Sequence, residues 1–534
     1  MEKKLKFLDC TLRDGGYYNR WDFHEELIND YIKTMTLIGV DVVEIGFRGI
    51  KKNSYLGPLA YSSDEYLKQL NINKKIKISV MVNASDIING NIRKNISQLF
   101  SIKKNSPVTY VRLACHFDEI MKIGKACDIL AGLGYKIIVN LMQISEKTSE
   151  EIKFASKYLN ENKNIICMYF ADSLGSMNSD DIKKTISIIQ KNFTREIGIH
   201  AHDNLGKALS NSITAVNNGA KWIDSTVYGM GRGPGNLKTE IAQIEIAKSK
   251  TYLENIDSMM HLTSKYFIPL FKKYLWGTNP FYYIAGKSKI HPTYIQTMLS
   301  DKTFDYSIIK EITNNLKEID SAKFNRKYLD FSTLNKVKKI KWNPKKRLSN
   351  KNILILGNGP SIISHKKSLE LFIKKKNPIV CALNLKKNIS ENLVDFRILS
   401  HPFRILTEVN SLNKIKTKLI LPYAQLPTSI QNKIFKSQVL DYGIKIQQSS
   451  FEFKKNYCIV PNNLVFSYAL SLANIGKIEN IFLAGFDGYN KDDPRNLEMN
   501  NSINIYYNLK KKKPLISLTP TKFKLKSRSI FSII

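Results

Sequence analysis

Acidic residues are scarce in this chain, cysteines are few and never closely paired, and no apolar run is long. No stretch approaches the roughly 18 to 20 uninterrupted apolar residues of a membrane span. The N-terminal MEKKLKFLDCTLRD lacks the apolar region and cleavage site of a secretory leader. A cytoplasmic protein without a membrane span is the expectation. The six cysteines, Cys10, Cys115, Cys127, Cys167, Cys381 and Cys458, contain no CxxC pair, so reduced, mostly buried thiols are expected. With 46 acidic against 82 basic residues the formal net charge is +36. Lysine is spread along the whole chain among Asn and Ile and is not gathered on one element with aromatics. That argues against nucleic acid and favours acidic small molecules or an anionic surface. The one dense run, Lys510 to Lys513 before Pro514, reads as a solvated segment.

What is present is a rhythm. The 534 residues exceed one ordinary core. From residue 5 to about 248, eight short apolar runs alternate with segments of helical spacing: KFLDCTL, DVVEIGF, KISVMVN, TYVRLAC, KIIVNLM, IICMYFADS, EIGIHAHDN and WIDSTVYGMG. Strands this apolar are buried on both faces and hence parallel, and eight strand-helix units in one domain predict a closed (β/α)8 TIM barrel. The class is therefore α/β. Residues 1–250 are expected to form the barrel, and 251–345 a helical extension and basic linker. NILILGNGPS then opens a C-terminal open parallel-sheet, Rossmann-like domain over 350–500, with further strands at PIVCALN, DFRILSH, TKLILPY, YCIVPN and NIFLAGFDG. Residues 501–534 read as a basic tail, expected to be partly disordered.

Catalytic groups of such barrels lie at the C-terminal ends of the strands. The polar residues there are Arg13, Asp14, Glu44, Arg48, His116, Asn140, Asp172, Ser173, His200, His202, Asp203, Asn204 and the loop GMGRGPGN. His200 and His202, two apart on a strand, point to the same side. Asp14, placed at the end of the first strand, would be brought near them by closure of the barrel. One carboxylate and two imidazoles around a shared cavity suit a divalent ion with open positions. The competing structural role is a satisfied polar strand end, with Asp14 capping a turn through Gly15 and Gly16.

LDCTLRDGG, IHAHDNLG and YGMGRGPGN, in that order, resemble the DRE-TIM metallolyases, also called the HMG-CoA lyase-like or pyruvate carboxyltransferase family. Within it the 4-hydroxy-2-oxovalerate aldolases are the nearest match, over residues 5 to about 300. The resemblance implies a divalent ion, Mn2+ or Mg2+, on Asp14, His200 and His202, with Asn236 a further or outer ligand. It also implies Arg13 stabilising an enolate oxygen and Ser173 meeting the carboxylate of a 2-oxo acid, with an aldehyde as second substrate and a homo-oligomeric assembly. An ion pair with Glu44 or Asp172 is the alternative role for Arg13.

The chain departs from that pattern at two places. The aldolases carry a histidine base three residues after the motif aspartate, where this chain has Tyr17. Tyr17 as a relay, or His116, His24 or His291, are the candidates for the proton. The lyase branch carries a cysteine in the loop after the eighth strand. This chain has Arg232 nearby and no thiol, which disfavours acyl-CoA lyase chemistry and makes Arg232 a candidate anion anchor. In the second domain Gly357, Gly359 and Ser361 form a strand-to-helix turn suited to a phosphate. Together with the acidic loop holding Asp487 and Asp492, this turn is similar to sialyltransferase-like and motility-associated glycosyltransferase-like domains and implies a nucleotide sugar. A fused pair of this kind would suit surface-polysaccharide precursor synthesis. A transferase with a structural barrel and a basic scaffold for acidic polymers remain the alternatives.

Overall fold

The computed structural model describes residues 5–50, 55–300, 306–317, 321, 322, 324, 342–348, 352–386, 388–426, 428–476, 478–489 and 493–533. The chain divides into two compact units, Met1–Ser300 with Lys317–Phe324, and Asp301–Leu316 with Asn325–Ile534. Most of the expected linker, 325–341, lies outside the described residues. Among the described residues no helix is long and apolar enough to cross a membrane.

The first unit is a closed parallel barrel of β1 (Lys6–Asp9), β2 (Val42–Phe47), β3 (Lys77–Asn83), β4 (Val108–Cys115), β5 (Lys136–Leu141), β6 (Ile165–Asp172), β7 (Glu196–Ala201) and β8 (Trp222–Ser225). It closes through β1 and β8, with Lys6 opposite Trp222 and Asp9 opposite Ser225. Outward residues of the strands pack against the helices in one large apolar core. Inward residues form a plug of Leu8, Val42, Tyr110, Ile138, Cys167, Tyr169 and Trp222. Gly198 makes room for it, since a Cβ there would lie 2.4 Å from the Tyr169 ring. The first strand is shorter than expected. β1 stops at Asp9, whose carboxylate accepts the Thr11 N–H at 2.9 Å, and the motif runs on as a helix, Thr11–Asn19. Arg13 and Asp14 therefore project from the first turns of a helix and not from a strand end.

Beyond β8, helices Pro280–Lys287 and Pro292–Ser300 belong to the same unit. A Cβ on Gly286 would lie 2.9 Å from Asn204 Cβ, and one on Gly233 would lie 3.4 Å from Pro292 Cβ. The expected helical extension thus includes a roof over the loops that follow β7 and β8.

The second unit carries a parallel sheet of β9 (Ile353–Leu356), β10 (Ile379–Leu383), β11 (Phe396–Ile398), β12 (Lys418–Leu421), β13 (Val439–Asp441), β17 (Ile481–Ala484), β18 (Leu515–Ser517) and β19 (Lys526–Ser527), in the order β13-β12-β11-β10-β9-β17-β18-β19. A small second sheet holds β14 (Gly443–Ile446), β15 (Glu452–Phe453) and β16 (Tyr457–Val460). Two expectations change. YCIVPN supplies β16 of the small sheet, because only Tyr442 separates β13 from β14 and the chain leaves the main sheet there. The stretch expected as a partly disordered tail is folded over its described residues 501–533. Leu515 and Ile516 point into the apolar cores on opposite faces of the sheet, and that burial outweighs the preceding lysines.

Candidate metal centre and barrel mouth

Above the apolar plug the barrel interior turns polar. Asp14, His200 and His202 are all buried, and their candidate ligand atoms lie within 4.8 Å of one another. Asp14 Oδ2 is 3.9 Å from His200 Nε2. The other imidazole nitrogen, His200 Nδ1, is 2.8 Å from Asp224 Oδ2. Asp224 is a carboxylate: burial works to raise it, but Arg112 foremost and then His200 hold it below its ordinary range. Nδ1 therefore donates, which leaves Nε2 as the nitrogen turned toward Asp14.

Charge continues around the barrel. Arg112 pairs with Asp224 and reaches Glu44 at 3.4 Å. Glu44 accepts Arg13 Nε at 2.8 Å, and Arg13 Nη1 donates to Asp14 Oδ1 at 2.7 Å. The Arg112 guanidinium also lies 4.1 Å from the Tyr169 ring, on top of the plug. Three carboxylates against two guanidiniums stand in a water-poor interior beside the two imidazoles. Burial, and then His200, pushes His202 down to about 3. Burial would raise Asp14, yet Arg13, followed by His200, His202 and the Asn236 amide, keeps it below the usual carboxylate range.

The donor set fits a divalent cation. Asn236 turns Nδ2 toward Asp14 Oδ2, while Asn236 Oδ1 and His202 Nδ1 are buried and have no hydrogen-bond partner among the described residues. Buried acceptors left without donors are costly unless an ion meets them. Gly231 permits the packing, since a Cβ there would lie 2.3 Å from Asn236 Nδ2 and 3.0 Å from Asp14 Oδ2. Cys10, His200 and Asp224 also cluster within 4.8 Å. That group is the poorer ligand set, because Arg112 engages Asp224 and burial holds the Cys10 thiol protonated.

Residues 4–264 match the HMGL-like family model. The barrel is an HMGL-like domain. Over 256 residues it is 29% identical to the 4-hydroxy-2-oxovalerate aldolase of Carboxydothermus hydrogenoformans, covering 46% of this chain and 72% of that one. Over 244 residues it is 28% identical to the enzyme of that name from Pectobacterium atrosepticum, covering 45% and 69%. Among solved structures it is similar to the N-terminal domain of a candidate aldolase from Bacteroides vulgatus. That match has 29% identity and a TM-score of 0.51, over 57% of this chain and 99% of that one. The HMGL-like match ends at residue 264, so the glycosyltransferase resemblance of the second unit rests on its sequence pattern alone.

The HMGL-like barrel gathers Arg13, Asp14, His200, His202 and Asn236 in one place. Ser173 sits at the mouth, its hydroxyl accepting the Gln143 N–H at 3.0 Å. Arg232 stacks over the Tyr17 ring at 5.1 Å, and Tyr17, 40% exposed, packs edge-on against Trp21. His116 and His24 are exposed and stay outside the cluster; the backbone N–H of His116 donates to Glu119 at 2.8 Å. Arg48 and Asp172 prove structural. Arg48 pairs with Asp64, and Asp172, raised to about 6 by burial, accepts the N–H groups of Ser176 and Met177. Arg112 and Asp224 were missed. Their signal was a charge inside an otherwise apolar strand, in TYVRLAC and WIDS, where burial demands a partner.

In the second unit the turn expected to hold a phosphate is taken by the protein itself. Ser361 N–H donates to Asp487 Oδ1 at 3.0 Å, and Ser361 Oγ to Oδ2 at 2.8 Å. A Cβ on Gly359 would lie 1.9 Å from that carboxylate. The Asp487 carboxyl thus takes the Ser361 donors and the space beside Gly359 that a phosphate at Gly357, Gly359 and Ser361 would need. Asp492 lies outside the described residues.

Proposed function

We propose that the barrel is a divalent-metal-dependent aldolase, cleaving or forming the bond between the carbon next to the keto group of a 2-oxo acid and the carbon that bears the hydroxyl. One observation carries the reading: Arg13 spends Nε on Glu44 and Nη1 on Asp14, and its buried Nη2 has no partner among the described residues. An unspent charged donor beside the ligand cluster suits an oxygen on which negative charge develops, as on the keto oxygen when a pyruvate enolate forms. Arg13 is pinned by two carboxylates, so Nη2 is oriented before substrate arrives. A guanidinium also stays charged at every working pH. Asp14, His200 and His202 would hold the ion, with Asn236 Oδ1 beside them; when bound it supplies Lewis-acid polarisation of a 2-oxo acid. Ser173 and Arg232 would take the carboxylate and a further anionic group. The names of the relatives support the aldolase assignment.

The test is pyruvate release from a panel of 4-hydroxy-2-oxo acids. Activity should vanish with EDTA, return with Mn2+ or Mg2+, and be absent in Asp14→Ala. Turnover that survives both EDTA and His200→Ala would overturn the reading.

A further inference from the structure

Arg13 and the ligand cluster account for the 2-oxo acid half of such a substrate. The other half has its own oxygen, hydroxyl in the aldol and carbonyl in the aldehyde, which gains negative charge as the bond forms. Tyr17, where a base was expected, is largely exposed with Arg232 over its ring. The roof presents a different group.

His291 is 7% exposed at the start of helix Pro292–Ser300. Several contacts tie its segment to the barrel mouth. Pro292 packs on Gly233, beside Arg232. The His291 N–H donates to Ser321 O at 2.9 Å, and the Gln143 side chain, next to Ser173, donates to the adjoining Ala322 O at 2.9 Å. The His291 ring lies 5.7 Å from Phe324. Its orientation is set by Thr293, whose backbone N–H donates to Nδ1 at 3.3 Å. A backbone amide can only donate, so Nδ1 is the acceptor and a neutral ring carries its proton on Nε2. The ring is neutral: burial first, then the electrostatics of Arg232, His202 and His116, holds it well below the usual histidine value. No hydrogen bond from another described residue engages Nε2.

We propose that His291 is a catalytic hydrogen-bond donor, whose Nε2–H binds the oxygen of the aldehyde half of the substrate. The inference rests on the aldolase reading and deepens it. In the forming direction the enolate carbon attacks the aldehyde carbon, and the carbonyl electron pair moves onto oxygen. His291 keeps its proton and stabilises that alkoxide, which takes a proton from water as the product leaves. In the breaking direction hydroxide removes the hydroxyl proton, giving water, and His291 holds the oxygen while the bond opens. A neutral imidazole suits the task because it donates strongly without adding another positive charge beside Arg232 and the ion.

The test uses the full chain loaded with Mn2+ and compares two reactions. One is condensation of pyruvate with a panel of short aldehydes; the other is decarboxylation of oxaloacetate, which passes through the same enolate but has no aldehyde oxygen. His291→Ala should lower the ratio of condensation to decarboxylation by about 100- to 1,000-fold, the loss typical of one oxyanion donor. Mn2+ affinity, measured by titrating the metal-free chain, should not change. His291→Gln, which restores an N–H donor but no base, should recover most of the ratio. An unchanged ratio in His291→Ala overturns the proposal. So does a His291→Gln as poor as His291→Ala, which would mark a base, or equal loss of both reactions, which would mark a structural role. Decarboxylation with no aldehyde condensed removes the aldehyde half and this proposal while leaving the enolate site intact. A wild type that decarboxylates no faster than Asp14→Ala defeats the enolate reading itself.

Discussion

His200 Nδ1 sits 2.8 Å from Asp224 Oδ2, a hydrogen bond that fixes which nitrogen of the imidazole faces Asp14. Since Asp224 is in turn held by Arg112, the orientation of the His200 ring is anchored by the buried charges inside the barrel. Asp224→Asn keeps the shape and removes the charge that selects the tautomer. We expect Mn2+ affinity to fall by roughly 10- to 100-fold, as for other groups that orient ligating histidines. Electron paramagnetic resonance titration of free Mn2+ measures it.

Arg13→Lys tests the guanidinium fork. A lysine keeps one charge but cannot serve Glu44, Asp14 and a substrate oxygen together. The expected result is a kcat lower by about 100-fold or more with KM little changed, because the lost contact is one made in the transition state. Steady-state pyruvate release reads both constants.

Arg112→Met tests the charge ring as a unit. It takes the guanidinium from Asp224 and leaves Glu44 only Arg13, both carboxylates being buried, so the loss should approach the roughly 3–5 kcal/mol typical of breaking a buried ion pair. Urea unfolding followed by tryptophan fluorescence reports it through Trp222 on the plug. A loss below about 1 kcal/mol, the range of exposed pairs, would show the ring to be well solvated.

Glu240 gives the pH dependence. Burial raises its carboxyl to about 7, although Oε1 accepts the Tyr228 N–H at 2.8 Å. Its folded value lies above its unfolded one, so between about pH 4.5 and 7 the folded state binds more protons and stability falls as pH rises. Below that window the group costs nothing; above it the cost is about 3 kcal/mol, at 1.36 kcal/mol per unit. Glu240→Gln should therefore stabilise the barrel at pH 8 and have little effect at pH 4.5, as read by melting temperatures at the two pH values.

Much of the barrel was legible because its signals are local. Near-continuous apolar strands between amphipathic helices leave few ways to bury both faces of a sheet, and the spacing of His200 and His202 alone puts both rings on one side. The misread elements failed for equally physical reasons. The helix Thr11–Asn19 starts on a hydrogen bond from Thr11 to Asp9, which a strand-like apolar run does not reveal. The 501–534 segment looked solvated from its lysines, but Leu515 and Ile516 are fixed by apolar faces formed elsewhere in the unit.

By itself the sequence determined the (β/α)8 barrel, the metal-type cluster and the absence of a loop thiol, because each depends on residue type and short-range spacing. Only the tertiary structure decided that Arg112 meets Asp224, 112 residues away, that the Asp487 carboxyl engages Ser361, and that Thr293 sets the ring of the buried His291. Charges and donors buried in an interior must find partners across strands and loops distant in sequence. Which partners they find is settled by closure of the barrel and the sheet, not by any local pattern.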